Sequence, residues 1–252
     1  MLKKNFSDLI TVIIPYHKKI NFINKCIESV LSQTFQNFEI ILIYDDNDLS
    51  ELNYIKDLVR KDSRIKLIIN TKRLGAGLSR NVGVEHGKGS FIAFIDADDI
   101  WKKDKLETQI NFMKQNNFDF SHTSYEIIDK NSNVIGYRQA RNFHKLEDLL
   151  KSCDIGLSTV MLSKKILKHN IKFPKLKTKE DFVLWLKLLE NKITLASLDK
   201  VLTSWSKLGN SLSSSTFQKL IDAFRVYYHY MNFNFFKSCY FVFCLSINFL
   251  KK

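Results

Sequence analysis

The stretch FIAFIDADDIW runs five strand-forming residues, Phe91 to Ile95, into three carboxylates within four positions: Asp96, Asp98 and Asp99. Like charges that close raise one another's electrostatic energy unless a cation offsets them. A D-x-D pair meets that need by holding Mg2+ or Mn2+, ions that take one or two carboxylates and fill the rest of their shell with substrate phosphates and water. A second acidic pair, Asp45 and Asp46, follows the apolar run FEIILIY. A carboxylate just past a strand end can accept hydrogen bonds from the base or ribose of a nucleotide. Aspartates also cap helices and shape turns, so from residue type alone both uses stay open.

The elements that must position these groups are readable as alternating periods. TVIIP (Thr11 to Pro15), FEIILIY (Phe38 to Tyr44), IKLII (Ile65 to Ile69) and FIAFI are near-continuous apolar runs, the signature of strands covered on both faces. Between them, Ile23, Cys26, Ile27, Val30 and Leu31 recur at helical spacing, Ser50 is placed to cap a helix through about Lys61, and Arg73 to Gly89 reads as a glycine-punctuated segment around a short helix. Asp104 and Glu107 form a capping pair for a helix bearing Leu106, Ile110 and Met113. Strand–helix alternation of this kind predicts an α/β fold with a mostly parallel central sheet, and in such sheets ligands bind beyond the carboxyl ends of the strands. Both acidic clusters lie at such ends. Past residue 117 the reading is two strands joined at DKNSN, a helix around His144 to Ser152, a strand over Ile155 to Leu162 and a helix over Glu180 to Glu190.

Composition narrows the function classes. The 252 residues carry 39 Lys and Arg against 26 Asp and Glu, a net charge of +13. That excess favours an anionic partner: nucleic acid, a phosphorylated small molecule or an anionic membrane surface. A basic overall composition is the bland alternative, and no nucleic-acid-binding motif is present. The four cysteines form no C-x-x-C pair and no H-E-x-x-H occurs. This argues against a zinc site and a disulfide framework and suits a reducing compartment. The apolar run at Ile10 is too short for a secretory signal and is broken by Pro15.

The segments VIIPYHKK, CIESVLSQTFQNFEIILIYDD, SRNVGVEHGKGSFIAFIDADDIW and KEDFVLWLKLL, taken together and in this order, resemble family 2 glycosyltransferases, inverting enzymes with the Rossmann-like GT-A fold. The resemblance covers most of residues 10 to 190. It implies that Pro15 and Tyr16 line a nucleotide pocket, that Asp45 contacts the base with Asp46 beside it, and that Arg80 lies near the nucleotide. It implies further that Asp96 lies near the ribose, that Asp98 binds a divalent metal (Mn2+ or Mg2+), and that Asp181 is the general base. For Arg80 the alternative is a helix-surface salt bridge, and for Asp181 a favourable charge at a helix start. The donor expected from the resemblance is a nucleotide diphospho-sugar, UDP-sugar first, and the acceptor a glycan or lipid-linked hydroxyl in bacterial surface polysaccharide synthesis, in the cytoplasm at the inner membrane face.

Two departures stand out. Asp45-Asp46 is followed by Asn47-Asp48 where the family commonly has glycine and serine; asparagine tolerates the same turn, though nucleotide contacts there can shift. No Q-x-x-R-W occurs, which favours a single-addition enzyme over a processive synthase. The expected division is a transferase domain over 1–205, with a nucleotide-sugar half to about 117 and an acceptor half from about 118, then an extension over 206–252. Within it, SWSKLGNSLSSS (Ser204 to Ser215) reads as a lid or a plain loop. Phe233 to Leu250 reads as an interfacial membrane helix, or as a terminal helix docked on the body or in a dimer interface. A nucleotidylyltransferase is the rival enzyme, but PYHKK lacks its glycines. A non-catalytic binding module of the same fold is the other rival.

Overall fold

The computed structural model describes residues 8–143, 145–167, 171–208 and 216–250. The apolar runs become strands of one nine-stranded sheet: β1 (Ile10–Tyr16), β2 (Phe38–Tyr44), β3 (Ile65–Ile69) and β4 (Phe91–Phe94) lie parallel in the order β3-β2-β1-β4. Side chains of a strand alternate between faces, and here the two sets feed two cores. Ile13, Ile41, Ile43, Ile92 and Phe94 enter one, while Ile10, Val12, Ile14, Ile40 and Leu42 enter the other. Both faces are therefore covered, which is why these runs are apolar without interruption. The helices α1 (Ile20–Leu31), α2 (Leu49–Val59), α3 (Ala76–His86) and α4 (Lys105–Gln115) alternate with the strands, as the periodicity predicts.

Beyond β4 the sheet becomes mixed. The order continues β4-β8-β6-β9-β5, with β7 hydrogen-bonded to β6. Here β5 is Ile100–Trp101, β6 Phe120–Ile128, β7 Val134–Arg138, β8 Met161–Ser163 and β9 Ala196–Ser206. The strand β8 is antiparallel to both neighbours, whereas β6 and β9 are parallel. The remaining helices are α5 (Leu146–Leu150), α6 (Glu180–Glu190), α7 (Thr216–Arg225) and α8 (Phe235–Leu250). Tyr227 joins the C-terminal helices to α5 and α6: its ring packs edge-on to Phe182 of α6 at 6.3 Å and its hydroxyl donates to Leu150 O of α5 at 2.6 Å.

Several local expectations change in the structure. Asp48, not Ser50, caps α2, because its carboxylate accepts from both Ser50 N and Glu51 N. Asp104 makes no cap bond, and Glu107 accepts from Thr34 instead of turning back to its own helix. Within Ile155 to Leu162, Leu157–Thr159 form a single 3-10 turn and only Met161–Ser163 is strand. The long strand β9 has no counterpart in the sequence reading. Its ASLDKVLTSWS lacks a clean period because Asp199 and Lys200 sit at a register irregularity, where Ser124 Oγ donates to Asp199 at 2.7 Å. Ser204–Ser206 of the expected lid belong to β9, and residues 209–215 of it lie outside the described residues. The terminal run docks through Ser238, Phe241 and Leu245, and no helix among the described residues is long and apolar enough to cross a membrane.

Candidate active site

Past the end of β2, Asp45 accepts from Asn70 Nδ2 and Leu74 N through one oxygen and from Gly75 N through the other, at 2.7–2.8 Å. These bonds fix the turn into α3, where Gly75 adopts φ 87°, a conformation open to a residue without Cβ. At Gly77 an added Cβ would fall 2.8 Å from Glu180 Cγ, so the start of α3 lies directly against the start of α6. That close approach lets Arg80 of α3 bridge two motifs 84 positions apart: Nη2 donates to Asp96 at 2.7 Å and Nη1 to Glu180 at 2.6 Å. Burial works against the Arg80 charge, but the two carboxylates outweigh it and hold the guanidinium above its ordinary range.

Each aspartate after β4 meets a different partner. Asp96 pairs with Arg80, and Asp98 pairs with Lys19 Nζ at 2.7 Å. Asp99 is buried, where it accepts from Ser158 Oγ and, at 2.9 Å, from Ser206 N. Burial, then the charges of Asp96 and Asp98, push Asp99 well above the usual carboxylate range. Asp99 thus ties the 3-10 turn and the end of β9 to the acidic loop. Asp98 is also raised, by burial first and by Asp96 next, against the pull of Lys19.

Among the described residues no cluster of three or more His, Cys, Asp or Glu is arranged to hold a metal. Yet a Mg2+ or Mn2+ shared with a bound diphosphate needs only one or two carboxylates. Asp98 faces the cavity, is crowded by a second carboxylate and pairs with Lys19, so its chemistry fits such a shared site.

Asp181, in the first turn of α6, faces the same cavity. Burial, then the neighbouring Glu180 charge, raise its carboxyl to about 7, against the opposing influence of Arg80 and of its bond from Phe182 N at 2.7 Å. A carboxylate that titrates near neutrality suits proton abstraction.

These groups converge on one cavity of about 430 Å³. Pro15, Tyr16, Asp45, Arg80, Asp96, Asp98 and Asp181 all line it. The Tyr16 ring itself turns into the core, stacks on Tyr44 at 5.3 Å and sends its hydroxyl to Glu51. Asp46 does not line the cavity; its Oδ2 lies 2.8 Å from His17 Nδ1 and accepts a hydrogen bond from Lys18 N at 3.1 Å. Sequence reasoning passed over the cationic rim: Lys19, Arg73, Lys177, Lys179 and Lys219 all line the cavity. Lys19 lies in the quoted PYHKK at a strand end, a usable signal; the rest come from loops and from α7, where no spacing marks them. Tyr125 and Trp205, from β6 and β9, also line the cavity.

The model of glycosyl transferase family 2 matches residues 11–169. Over 213 residues the chain is 38% identical to the UDP-Glc:alpha-D-GlcNAc-diphosphoundecaprenol beta-1,3-glucosyltransferase WfgD of Escherichia coli, covering 84% of this chain and 82% of that protein. A second Escherichia coli protein named for the same reaction, WfaP, is 35% identical over 214 residues, or 85% and 83% of the two chains. Among solved structures, Staphylococcus aureus TarS 1-349 in complex with UDP-GlcNAc superposes with a TM-score of 0.70 at 23% identity, covering 86% of this chain. The chain spans 64% of that TarS fragment, and 34%, 35% and 26% of three longer Rickettsia glycosyltransferases.

Proposed function

Because the chain belongs to glycosyl transferase family 2, we propose that it transfers one sugar from a UDP-sugar to a hydroxyl of a lipid-diphosphate-linked glycan, with inversion, during bacterial surface polysaccharide synthesis. UDP-glucose is the donor favoured by the named reactions of its Escherichia coli relatives. The observation that carries the reading is the convergence of Asp98, Asp181 and the cationic rim on one cavity. In this reading, residues 1–117 supply the nucleotide-sugar half, 118–205 the acceptor half and 206–252 an extension.

The reaction forms a bond from the acceptor oxygen to the anomeric carbon and breaks the bond from that carbon to the donor's diphosphate. Asp181 takes the acceptor hydroxyl's proton as the oxygen attacks, a role worth roughly 10²–10⁴-fold for a positioned base. Attack on the face opposite the leaving group inverts the anomeric centre, so no covalent nucleophile is needed. Lys19 and Arg73 face the negative charge of the departing UDP. Asp98 would hold Mg2+ or Mn2+ together with the donor's phosphates, and such an ion supplies Lewis-acid neutralisation of the leaving group. Arg80 acts through Asp96 and Glu180, holding the ribose-side carboxylate and the base-bearing turn in one frame. Asp45 and Pro15 border the base end, and Asp46 supports it through His17. A nucleotide donor and a lipid-borne acceptor put the reaction at the inner face of the cytoplasmic membrane.

The test is calorimetric titration of UDP with and without Mn2+, on the wild type and on Asp98→Ala. Metal-enhanced binding that disappears in the variant is expected. Binding indifferent to both metal and Asp98 refutes the metal assignment, and absence of UDP binding in every condition refutes the donor.

A further inference from the structure

The helix α7, continued by a π-helical turn over Val226–Tyr230, forms one amphipathic hairpin with α8. Ala223, Val226 and Tyr227 on the first arm, and Phe241 and Leu245 on the second, bury into the core. The opposite side is rich in exposed aromatic residues. On α8, Phe236, Tyr240 and Phe243 recur at helical spacing and are 83%, 54% and 64% exposed; on the other arm Phe217, Leu220 and Tyr228 are 75%, 42% and 42% exposed. A chain of ring contacts joins the two stripes: Tyr228 stacks on Phe224 at 5.4 Å, Phe224 meets Phe235 at 5.6 Å, and Phe235 meets Phe236 at 5.8 Å. Isolated exposed hydrophobic residues are ordinary, but a continuous apolar patch marks a surface that is covered in use.

Charge selects what covers it. Between residues 216 and 250 the only acidic residue is Asp222, which is fully buried, whereas Arg225 and Lys237 are exposed, and Lys251 and Lys252 follow in the sequence. Aromatic side chains flanked by cations, with no exposed carboxylate on the hairpin itself and with Glu147 of α5 near Tyr240 countered by Lys151, suit the headgroup zone of an anionic bilayer. The hairpin also has a fixed relation to the cavity. Asp222 accepts from Thr178 N at 3.1 Å and Thr178 Oγ1 at 3.0 Å, three residues before Asp181, and Lys219 of α7 lines the cavity itself.

We infer that the aromatic face of the α7–α8 hairpin seats the protein on an anionic membrane surface, with the cavity rim held beside that surface. The inference deepens the lipid-linked-acceptor reading above by assigning the contact to particular side chains, but vesicle binding is measurable without donor or acceptor.

The experiment is flotation of the full chain with vesicles of phosphatidylglycerol and phosphatidylethanolamine, or of phosphatidylcholine alone. The wild type is compared with Phe236→Ser/Tyr240→Ser/Phe243→Ser and with Phe217→Ser/Leu220→Ser, and every protein is also titrated with UDP and run in sedimentation velocity. Expected are co-flotation with the anionic vesicles that weakens at raised salt, a loss of at least tenfold in the triple variant and a smaller loss in the double variant, with unchanged UDP binding. A wild type that stays unbound, or variants that float like it, overturns the inference. So does a wild-type dimer that the triple variant converts to monomer, which would make the face an interface between copies. Flotation without UDP binding refutes the donor reading alone; UDP binding without flotation refutes the membrane face alone.

Discussion

Replacing Asp181 by Asn tests the central assignment through stability as well as rate. The folded carboxyl titrates at about 7 against an ordinary 3.8, so the folded state holds this proton more tightly than the unfolded chain does. Below pH 4 both states are protonated and the group is neutral in its effect. Between pH 4 and 7 the unfolded chain releases the proton first and the fold loses stability. Above pH 7 the cost is complete, about 4 kcal/mol at about 1.4 kcal/mol per pH unit as an upper bound. The carboxylate retains contact with solvent in the cavity, which reduces this to about 2 kcal/mol. Asparagine keeps the acceptor for Phe182 N and removes the charge. Ligand-free Asp181→Asn is therefore expected to melt about 4–8 °C higher than wild type at pH 8, with the gap closing by pH 4. Its transferase rate should fall by roughly 10²-fold or more, while wild-type kcat/KM climbs with pH to a plateau above about 7. A melting offset independent of pH, or a destabilised variant at pH 8, refutes the argument that burial and Glu180 raise this carboxyl.

Arg80→Met removes the only cation bridging Asp96 and Glu180 among the described residues. It should destabilise the fold by about 3–5 kcal/mol in urea unfolding, because two carboxylates are left crowded and unpaired. Gly77→Ala forces a Cβ against the Glu180 side chain and should cost about 1–3 kcal/mol, with a larger loss in kcat than in UDP affinity as the turn bearing Asp181 shifts. Lys105 is fully buried over the Trp101 ring at 3.9 Å, its Nζ has no hydrogen-bond partner among the described residues, and burial holds its pKa well below the ordinary range. The protonated form is disfavoured in the fold, so the group opposes folding at neutral pH and the opposition fades as pH rises toward 10.5; Lys105→Met should raise stability by about 1–3 kcal/mol at pH 7 and by progressively less as pH approaches 10, as read by thermal melts.

Much of this molecule is written in short-range pattern. The strands β1 to β4 are covered on both faces, so each must be an unbroken apolar run, and each is visible as one. The carboxylates at their ends are visible for the same reason: polar residues directly after such runs sit where a parallel sheet binds its ligands. What escaped was set by long-range pairing. The strand β9 tolerates Asp199 and Lys200 because its partner β6 shifts register beside them, and no window of the sequence contains both strands. Asp48 outcompetes Ser50 as a cap by a choice of backbone geometry that composition does not reveal. The largest difference lies in what balances the acidic loop. Sequence spacing calls for a cation near Asp96, Asp98 and Asp99, but only the fold decides that Arg80 takes the first, Lys19 the second, and that the third is satisfied by Ser158 and a backbone amide. Those partners lie between 16 and 107 positions away in the chain. Electrostatic energy depends on distance in space, so the aspartates were legible as residues, while their partners were decided by where α3, the start of α1, the 3-10 turn and the end of β9 meet the acidic loop, and the proton affinity of Asp181 by its burial beside Glu180.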